Sequence, residues 1–197
     1  MMRQDDLFGA PPRLPAGFEH RADFLAVEEE AALLQSIATL DFQQASYRQW
    51  TARRRIVSFG GSYDFTHNRL HPAAALPQFL HALRDRMAAW VCIEGAQFTH
   101  ATIAEYPPGT PLGWHRDVPD FEVVAGVSLQ GMARMRFRPY PPAEGWTRAI
   151  LYIDLAPRSA YIIRDAARWQ WQHSISPTKE LRYSITFRTL RDKTRAA

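Results

Sequence analysis

The chain has a single cysteine among its 197 residues, and it contains no long apolar run. Because Cys92 stands alone, an internal disulfide framework and a zinc site built from cysteines are excluded. No apolar segment approaches the roughly 20 residues that a transmembrane helix needs. The first residues, MMRQDDLFGAPPRLP, lack the apolar stretch of a signal peptide. We therefore expect a cytoplasmic, monomeric protein with no membrane partner.

Lysine is also scarce, since all but Lys179 and Lys193 of the 24 lysine and arginine residues are arginines. Arginine binds carboxylates and phosphates through a planar fork of hydrogen-bond donors. The formal net charge of +4 favours a nucleic-acid partner without requiring one. A hydrophobic content of 46% is typical of a folded chain of this length.

The order of predicted elements indicates an α+β protein. Residues 1–17 are rich in proline and predict a flexible tail, and amphipathic patterns predict helices over 28–40 and 76–91. Between the helices, an arginine- and aromatic-rich segment with Gly60-Gly61 predicts a hairpin with an exposed end. After residue 97 we predict short strands near 97–106, 122–129, 133–139, 147–155, 159–164, 170–174 and 181–190. Helices followed by many short strands favour a sandwich or jelly-roll body.

We divide the chain into a flexible tail (1–17), helices with a substrate lid (18–96) and a jelly-roll (97–192). The last two segments are expected to form one compact domain, because 197 residues suit a single core.

The segment WHRDVPD carries the first candidate metal ligands. His115 and Asp117 are two residues apart, so on an extended segment their side chains face the same way. His173 in WQWQHSIS offers a third ligand. Two histidines and one carboxylate bind non-haem Fe(II) on one face and leave the opposite face open. H-x-D by itself is a weak signal, and a surface turn is the more ordinary explanation for it.

The segment RYSITFR, residues 182–188, carries a candidate anion site. Read as a strand, it places Tyr183, Ile185 and Phe187 on one face. The other face carries two guanidiniums and two hydroxyls, from Arg182, Ser184, Thr186 and Arg188. These groups could bind a dicarboxylate such as 2-oxoglutarate, or they could form a solvated face.

Together these motifs resemble the AlkB family of Fe(II)- and 2-oxoglutarate-dependent dioxygenases. That family carries H-x-D, a later His, and R-x-N-x-T-x-R. The segment AEYPPG, residues 104–109, is similar to the family's N-x-Y-x-P-G. Two positions depart from the pattern, because Ala104 and Ser184 stand where many members have asparagine. The resemblance covers about residues 18–191 and implies a double-stranded β-helix (jelly-roll) core, with N-terminal helices packed outside and a hairpin nucleotide-recognition lid.

The resemblance also implies a role for each motif residue. His115, Asp117 and His173 would form the catalytic site and hold Fe(II). Arg182, helped by Tyr106, would bind the distal carboxylate of 2-oxoglutarate, and Arg188 would lie at its metal end. Ser184 and Thr186 would add hydrogen bonds.

The implied reaction is oxidative dealkylation of N-alkylated nucleobases in DNA or RNA, as in repair of alkylation damage. It consumes O2 and 2-oxoglutarate. The alternatives are a tRNA or protein hydroxylase on the same scaffold, or an inactive binding module.

Substrate contacts are expected from two arginine-rich segments. In the lid, Trp50, Tyr63 and Phe65 would hold a flipped base, while Arg53, Arg54 and Arg55 would meet phosphates. The same aromatic residues could instead pack the hairpin onto the domain. Farther along, Arg134, Arg136 and Arg138 share one face of a strand. They could follow a phosphodiester backbone or form a solvated face.

The N-terminal tail contains a further hypothetical docking segment. Gln4-Asp5-Asp6-Leu7-Phe8 resembles the Q-x-x-L-F peptide that binds the replication sliding clamp. Leu7 and Phe8 would fill an apolar pocket on the clamp, and Gln4 would set the register. An ordinary frayed terminus is the alternative.

Overall fold

In the computed structural model of the chain, residues 14–47, 50–64, 69–142 and 150–192 are described. The clamp-like segment Gln4–Phe8 and the lid residue Phe65 lie outside the described residues. So do residues 143–149, where the predicted strand 147–155 begins.

The described residues form short helices and many strands. The α-helices are α1 (Val27–Ile37), α2 (His81–Val91) and α3 (Asp165–Trp169), with 3-10 turns at Gln78–Leu80 and Gly95–Gln97. The first strands are β1 (Phe18–Arg21), β2 (Gln43–Tyr47), β3 (Trp50–Phe59), β4 (Gly61–Asp64), β5 (Arg69–Pro72) and β6 (Phe98–Tyr106). The remaining strands are β7 (Leu112–His115), β8 (Phe121–Leu129), β9 (Ala133–Pro139), β10 (Leu151–Leu155), β11 (Ala160–Ile163), β12 (Trp171–Ile175) and β13 (Arg182–Leu190).

Eleven of the thirteen described strands form two facing antiparallel sheets. The large sheet has the order β1-β11-β8-β13-β6-β3-β2, and the small sheet has the order β10-β9-β12-β7. An apolar cluster joins the two, with Val124 and Ile163 from the large sheet packed near Met135, Phe137 and Ile175 from the small one. This arrangement confirms the predicted jelly-roll.

The helices cover the other face of the large sheet. Leu33 and Ile37 of α1 and Met87 of α2 share one buried cluster with Ile103 and Ile185 of the sheet. The central strands of the large sheet thus present alternate residues to the helices and to the jelly-roll interior. The prediction of N-terminal helices packed outside the core is confirmed.

The short elements that were not predicted include β1, β2, β7 and α3. Each has only four or five residues, too few for a periodic pattern to be recognised. Among the described residues, no helix has the length and apolarity required to cross a membrane.

The predicted hairpin is divided between two sheets. β2 and β3 pair with each other, and β3 also pairs with β6, so it belongs to the large sheet. β4 and β5 form a separate two-stranded sheet. At the junction, Gly60 has φ +75, and a Cβ there would lie 1.9 Å from the carbonyl oxygen of Thr99. β1 and β3 both precede residue 97, yet both belong to the large sheet. The boundary proposed at residue 97, between the lid segment and the jelly-roll, stays a prediction.

Candidate metal and cosubstrate site

Three candidate metal ligands converge at one end of the small sheet. His115 is the last residue of β7, and antiparallel pairing with β12 places His173 directly opposite it. One ligand atom each from His115, Asp117 and His173 lies within 4.8 Å of the other two. Nδ1 of His115 is 2.9 Å from the carbonyl oxygen of Gly113. That bond leaves Nε2 of His115 available for a metal ion.

The charges of the three side chains suit a divalent cation. Burial, with the neighbouring His115, lowers the pKa of His173 to about 3. Burial also lowers the pKa of His115. Burial alone would raise the pKa of Asp117, but the guanidinium of Arg188 and the two imidazoles outweigh it and hold this pKa well below its ordinary value. At neutral pH the group is therefore two neutral imidazoles and one carboxylate, the donor set of non-haem Fe(II) sites.

Arg188 lies at the metal end of the site. Its Nε donates to Oδ1 of Asp117 at 2.8 Å, and its Nη1 donates to Oγ1 of Thr102 at 3.2 Å. Nδ1 of His100 lies 3.5 Å from the same Nη1. Arg188 therefore orients the Asp117 carboxylate and leaves Oδ2 directed toward His173, whose Nε2 is 3.7 Å away.

Arg182 lies deeper in the jelly-roll and is only 1% exposed. Its Nε donates to Oγ of Ser128 at 2.9 Å, and its guanidinium lies 5.0 Å from the ring centre of Tyr106. Its Nη1 is buried and has no hydrogen-bond partner among the described residues. A buried guanidinium without a counter-ion is costly, so this end of the site fits a carboxylate.

A cavity of about 180 Å³ connects the two arginines. Its wall includes the three candidate ligands, Tyr106, Ser184 and Thr186. Ser184 pairs with Ala104 on β6 and with Ser128 on β8, so small side chains line this part of the wall. Thr186 donates to the carbonyl oxygen of Thr102 at 3.2 Å. The metal donor set, the space and the unpaired Nη1 together fit Fe(II) and a dicarboxylate.

Tyr161 on β11 is a pocket residue that the sequence did not indicate. It pairs with Gly126 on β8 and lines the cavity near Arg182. A Cβ on Gly126 would lie 2.2 Å from Cζ of Tyr161, so the tyrosine ring occupies the space left by the missing side chain. Burial raises the pKa of Tyr161 to about 12. A glycine in a strand pattern is the one signal that could have indicated such a close approach.

Helix α3 holds the loop that follows Asp117. Arg168 is 2% exposed, and its Nη2 donates to the carbonyl oxygens of Val118 at 2.7 Å and Phe121 at 2.8 Å. Arg116 donates to the carbonyl oxygen of Trp169 at 2.9 Å. These bonds fix the backbone after Asp117 and anchor the side chain of the residue before it. A five-residue helix far along the chain gave no sequence signal for this function.

The structure separates the three lid arginines. Arg54 faces the cavity together with Tyr63, and its Nε is buried with no partner among the described residues. Arg55 faces the other way and makes a bidentate pair with Glu105 at 2.8 and 2.9 Å. Arg53 is exposed. The backbone of Trp50 begins β3, where it pairs with Tyr47 of β2.

The second arginine segment lies outside the cavity. Arg134, Arg136 and Arg138 alternate with the buried residues Met135 and Phe137, so they project from the outer face of the small sheet.

The profile of the 2OG-Fe(II) oxygenase superfamily matches residues 18–188. The chain belongs to this superfamily. As a 2OG-Fe(II) oxygenase it uses Fe(II), 2-oxoglutarate and O2, which confirms the cofactors that the motifs predicted.

Curated relatives and solved structures connect this oxygenase with AlkB proteins. It is 28% identical over 191 residues to the uncharacterized protein L905 of Acanthamoeba polyphaga mimivirus, an alignment covering 88% of this chain and 85% of the viral protein. It is 27% identical over 180 residues to the Xenopus tropicalis tRNA (carboxymethyluridine(34)-5-O)-methyltransferase alkbh8. That alignment covers 85% of this chain, which spans only 26% of the frog protein.

The fold of the oxygenase is shared with two solved structures. OsALKBH1 superposes with a TM-score of 0.69 at 14% identity, covering 90% of this chain and 98% of that one. A Pseudomonas putida prolyl-4-hydroxylase superposes with a TM-score of 0.59 at 16% identity, covering 89% and 93%. The predicted resemblance to the AlkB family is confirmed.

Proposed function

We propose that this AlkB-like oxygenase removes N-alkyl groups from nucleobases in DNA or RNA. The observation that carries the proposal is the location of Tyr63 and Arg54 at the cavity that contains the three candidate ligands. An aromatic ring and a guanidinium beside a metal site suit a planar base taken out of its stack.

His115, Asp117 and His173 would hold Fe(II). Fe(II) with 2-oxoglutarate and O2 supplies the oxidation of a C–H bond. Arg188 keeps the Asp117 carboxylate ionised and oriented. Arg182 would bind the distal carboxylate, with Tyr106 and Ser184 beside it.

On the substrate side, Tyr63 would stack on the target base and Arg54 would donate to its carbonyl edge or to the adjoining phosphate. Trp50, Phe65 and Arg53 remain proposed substrate contacts. Arg55 is engaged by Glu105, so a phosphate would have to compete with that carboxylate for it.

The test compares N-methylated oligonucleotides as single and double strands of DNA and of RNA. With Fe(II), 2-oxoglutarate and ascorbate we expect formaldehyde and succinate in equal amounts from at least one of them. An Asp117→Ala variant is the control for adventitious iron chemistry. Absence of formaldehyde with every oligonucleotide contradicts the proposal.

Hydroxylation of tRNA is a second candidate function, because one matched relative is named for a reaction on tRNA. The frog protein is named a tRNA methyltransferase, whereas an Arabidopsis thaliana relative, 26% identical over 181 residues, is named alkylated DNA repair protein ALKBH8 homolog. A hydroxylase would leave one added oxygen on the tRNA and release succinate without formaldehyde. Mass spectrometry of the treated tRNA therefore separates the two reactions. The complete donor set argues against an inactive binding module.

Two further proposals concern the binding partner of the N-terminal tail and the oligomeric state and location of the protein. Gln4–Phe8 is proposed to bind the sliding clamp, and the protein is proposed to be a cytoplasmic monomer. A peptide of residues 1–12 should bind the clamp weakly, and a version with Leu7→Ala and Phe8→Ala should not. Equal binding by the two peptides contradicts clamp docking.

A further inference from the structure

The outer face of the small sheet carries a row of arginines and aromatic rings. Three of the arginines, Arg134, Arg136 and Arg138, come from β9. Register places Arg136 between Tyr152 of β10 and Ser174 of β12, and Arg138 beside Gln172. We call this face the arginine track and define it by Trp114, Arg116, Arg134, Arg136, Arg138, Tyr140 and Tyr152.

Two guanidiniums of the track are held in place without being neutralised. Arg136 and Arg138 both lie against the ring of Trp114, at 5.0 and 4.6 Å from its centre. Nε of Arg136 donates to the Ser174 hydroxyl at 3.0 Å, and Nε of Arg138 donates to the Gln172 amide oxygen at 2.8 Å. Both acceptors are neutral. Within the described part of the chain neither guanidinium has a carboxylate partner, so no carboxylate there balances its charge, and its Nη groups can donate to an anion.

Arg134 differs from its two neighbours on β9. It makes a bidentate ion pair with Asp154 at 2.7 and 2.8 Å and lies 4.6 Å from the ring centre of Tyr152. Arg136 and Arg138 are therefore the residues of β9 most available to an anion.

The track continues to the cavity that contains the candidate metal ligands. Arg116, the residue between His115 and Asp117, lies 3.7 Å from the ring centre of Tyr140 and also lines that cavity. Tyr140 follows Pro139, the last residue of β9. A chain lying along β9 would thus pass from Arg136 over Arg138 to Arg116 and the pocket.

We propose that the arginine track binds single-stranded polynucleotide next to the target nucleotide. This inference rests on the proposed function and specifies where the flanking strand lies. Alternate residues of a strand are about 6.6 Å apart, comparable with the spacing of successive phosphates along an extended single strand. Tyr140 and Tyr152 are 42% and 51% exposed, so their rings are accessible to bases. Charge along the backbone with aromatic rings beside it is the general form of a single-strand binding surface.

The experiment replaces the two available guanidiniums together, as Arg136→Gln with Arg138→Gln. Affinity is measured by fluorescence anisotropy for unmethylated single strands of about twelve nucleotides, DNA and RNA separately, over a salt series. We expect several-fold weaker binding. Since each phosphate contact on a single strand contributes about 0.7 to the slope of log K against log salt, the slope should decrease by about 1.4.

The control removes two other arginines that lie against aromatic rings away from the track, of which Arg86 is also paired with Glu29. Arg21 and Arg86 lie 4.3 and 4.5 Å from the ring centres of Trp90 and Phe24, beside the helices. The variant Arg21→Gln with Arg86→Gln loses the same charge and should keep the affinity and the salt slope of the wild type. Thermal melting of all three proteins checks that each is folded.

Three outcomes would contradict the proposal that the arginine track binds a single strand. The variant without Arg136 and Arg138 could keep the affinity and salt slope of the wild type, or the control variant could lose as much affinity as that variant. The third outcome is that the wild-type protein does not bind the oligonucleotides. The formaldehyde assay tests the proposed function separately. If oligonucleotide binding depends on Arg136 and Arg138 but no formaldehyde is released, the dealkylation proposal is contradicted and the track proposal is not. If formaldehyde is released but the double variant binds oligonucleotides as the wild type does, the track proposal is contradicted and the dealkylation proposal is not. Comparing the DNA and RNA arms identifies which polymer the surface prefers.

Discussion

Arg182 shows, at the scale of a single residue, how a buried charge indicates a ligand. The residue is 1% exposed, yet its Nη1 has no partner among the described residues. The neighbouring groups, Ser128 and Tyr106, are neutral and do not balance the charge. A carboxylate entering the cavity would supply both the missing acceptor and the missing charge.

Replacing Arg182 by Lys should weaken 2-oxoglutarate binding. The ammonium keeps the charge but loses the planar fork that pairs with a carboxylate. Loss of a hydrogen bond to a charged group costs about 1.5–3 kcal/mol, which corresponds to roughly tenfold or more in Kd. Titration of 2-oxoglutarate into the metal-loaded protein measures the change, with Arg86→Lys as a surface control. Unchanged affinity in Arg182→Lys would show that this guanidinium has only a structural role.

Replacing Asp117 by Ala should reduce iron-dependent succinate production to background. The change removes the only carboxylate of the candidate donor set and leaves Arg188 without its 2.8 Å partner. The increase in melting temperature on adding a divalent metal should disappear as well. Asp120→Ala, three residues later in the same loop, is the control and should retain both properties. An Asp117→Ala protein that is still stabilised by metal would show that the ion binds elsewhere.

At the scale of elements, the site depends on how neighbouring strands are paired. The β7–β12 pair places His115 opposite His173, and the β8–β11 pair places Gly126 opposite Tyr161. Helix α3 then fixes the loop after Asp117 through Arg168. Each contact joins residues that are far apart along the chain.

Replacing Gly126 by Ala should damage both stability and cosubstrate binding. The added Cβ would lie 2.2 Å from the Tyr161 ring, which is buried and must move. Overpacking of this kind costs about 1–3 kcal/mol, and displacement of Tyr161 would disturb the end of the cavity near Arg182. Gly113→Ala is the matched control, because a Cβ there has nothing within 4 Å. Urea unfolding and 2-oxoglutarate titration measure the two effects, and equal results for the two variants would contradict the close-packing argument.

At the scale of the whole molecule, burial of histidines makes the folded state sensitive to acid. Burial lowers the pKa of both His100 and His173 to about 3. Between that value and an ordinary histidine pKa of about 6.5, the unfolded chain binds protons that the folded chain does not. The folded state therefore loses stability as pH falls through this window, and each such histidine contributes about 1.4 kcal/mol per pH unit.

Metal-free protein should therefore unfold at lower urea concentration at pH 5 than at pH 7. The effect has the same sign for His115, whose pKa burial also lowers. A His100→Asn variant should show a shallower dependence on pH, because it removes one of the titrating groups. Urea unfolding curves at several pH values measure the slope. A free energy of unfolding that is constant between pH 7 and pH 5 would contradict neutral, buried histidines in the folded state.

The sequence by itself determined the chemical type of the site and the main body of the fold. Alternation along RYSITFR predicts that Arg182, Ser184, Thr186 and Arg188 share one face, and in the structure all four line the cavity. Helical periodicity located α1 and α2, and turn residues separated most strands of the jelly-roll. These features depend on backbone geometry repeated over a few neighbouring residues, which a sequence pattern records directly.

Only the tertiary structure decided which of the many arginines are available to bind an anion and which side chains lie beside them. Arg54 faces the cavity, while the adjacent Arg55 is bound by Glu105, 50 residues away. Arg136 and Arg138 share the ring of Trp114, which belongs to another strand. Such contacts follow from strand register and from the packing of distant elements, and therefore no local pattern of the chain contains them.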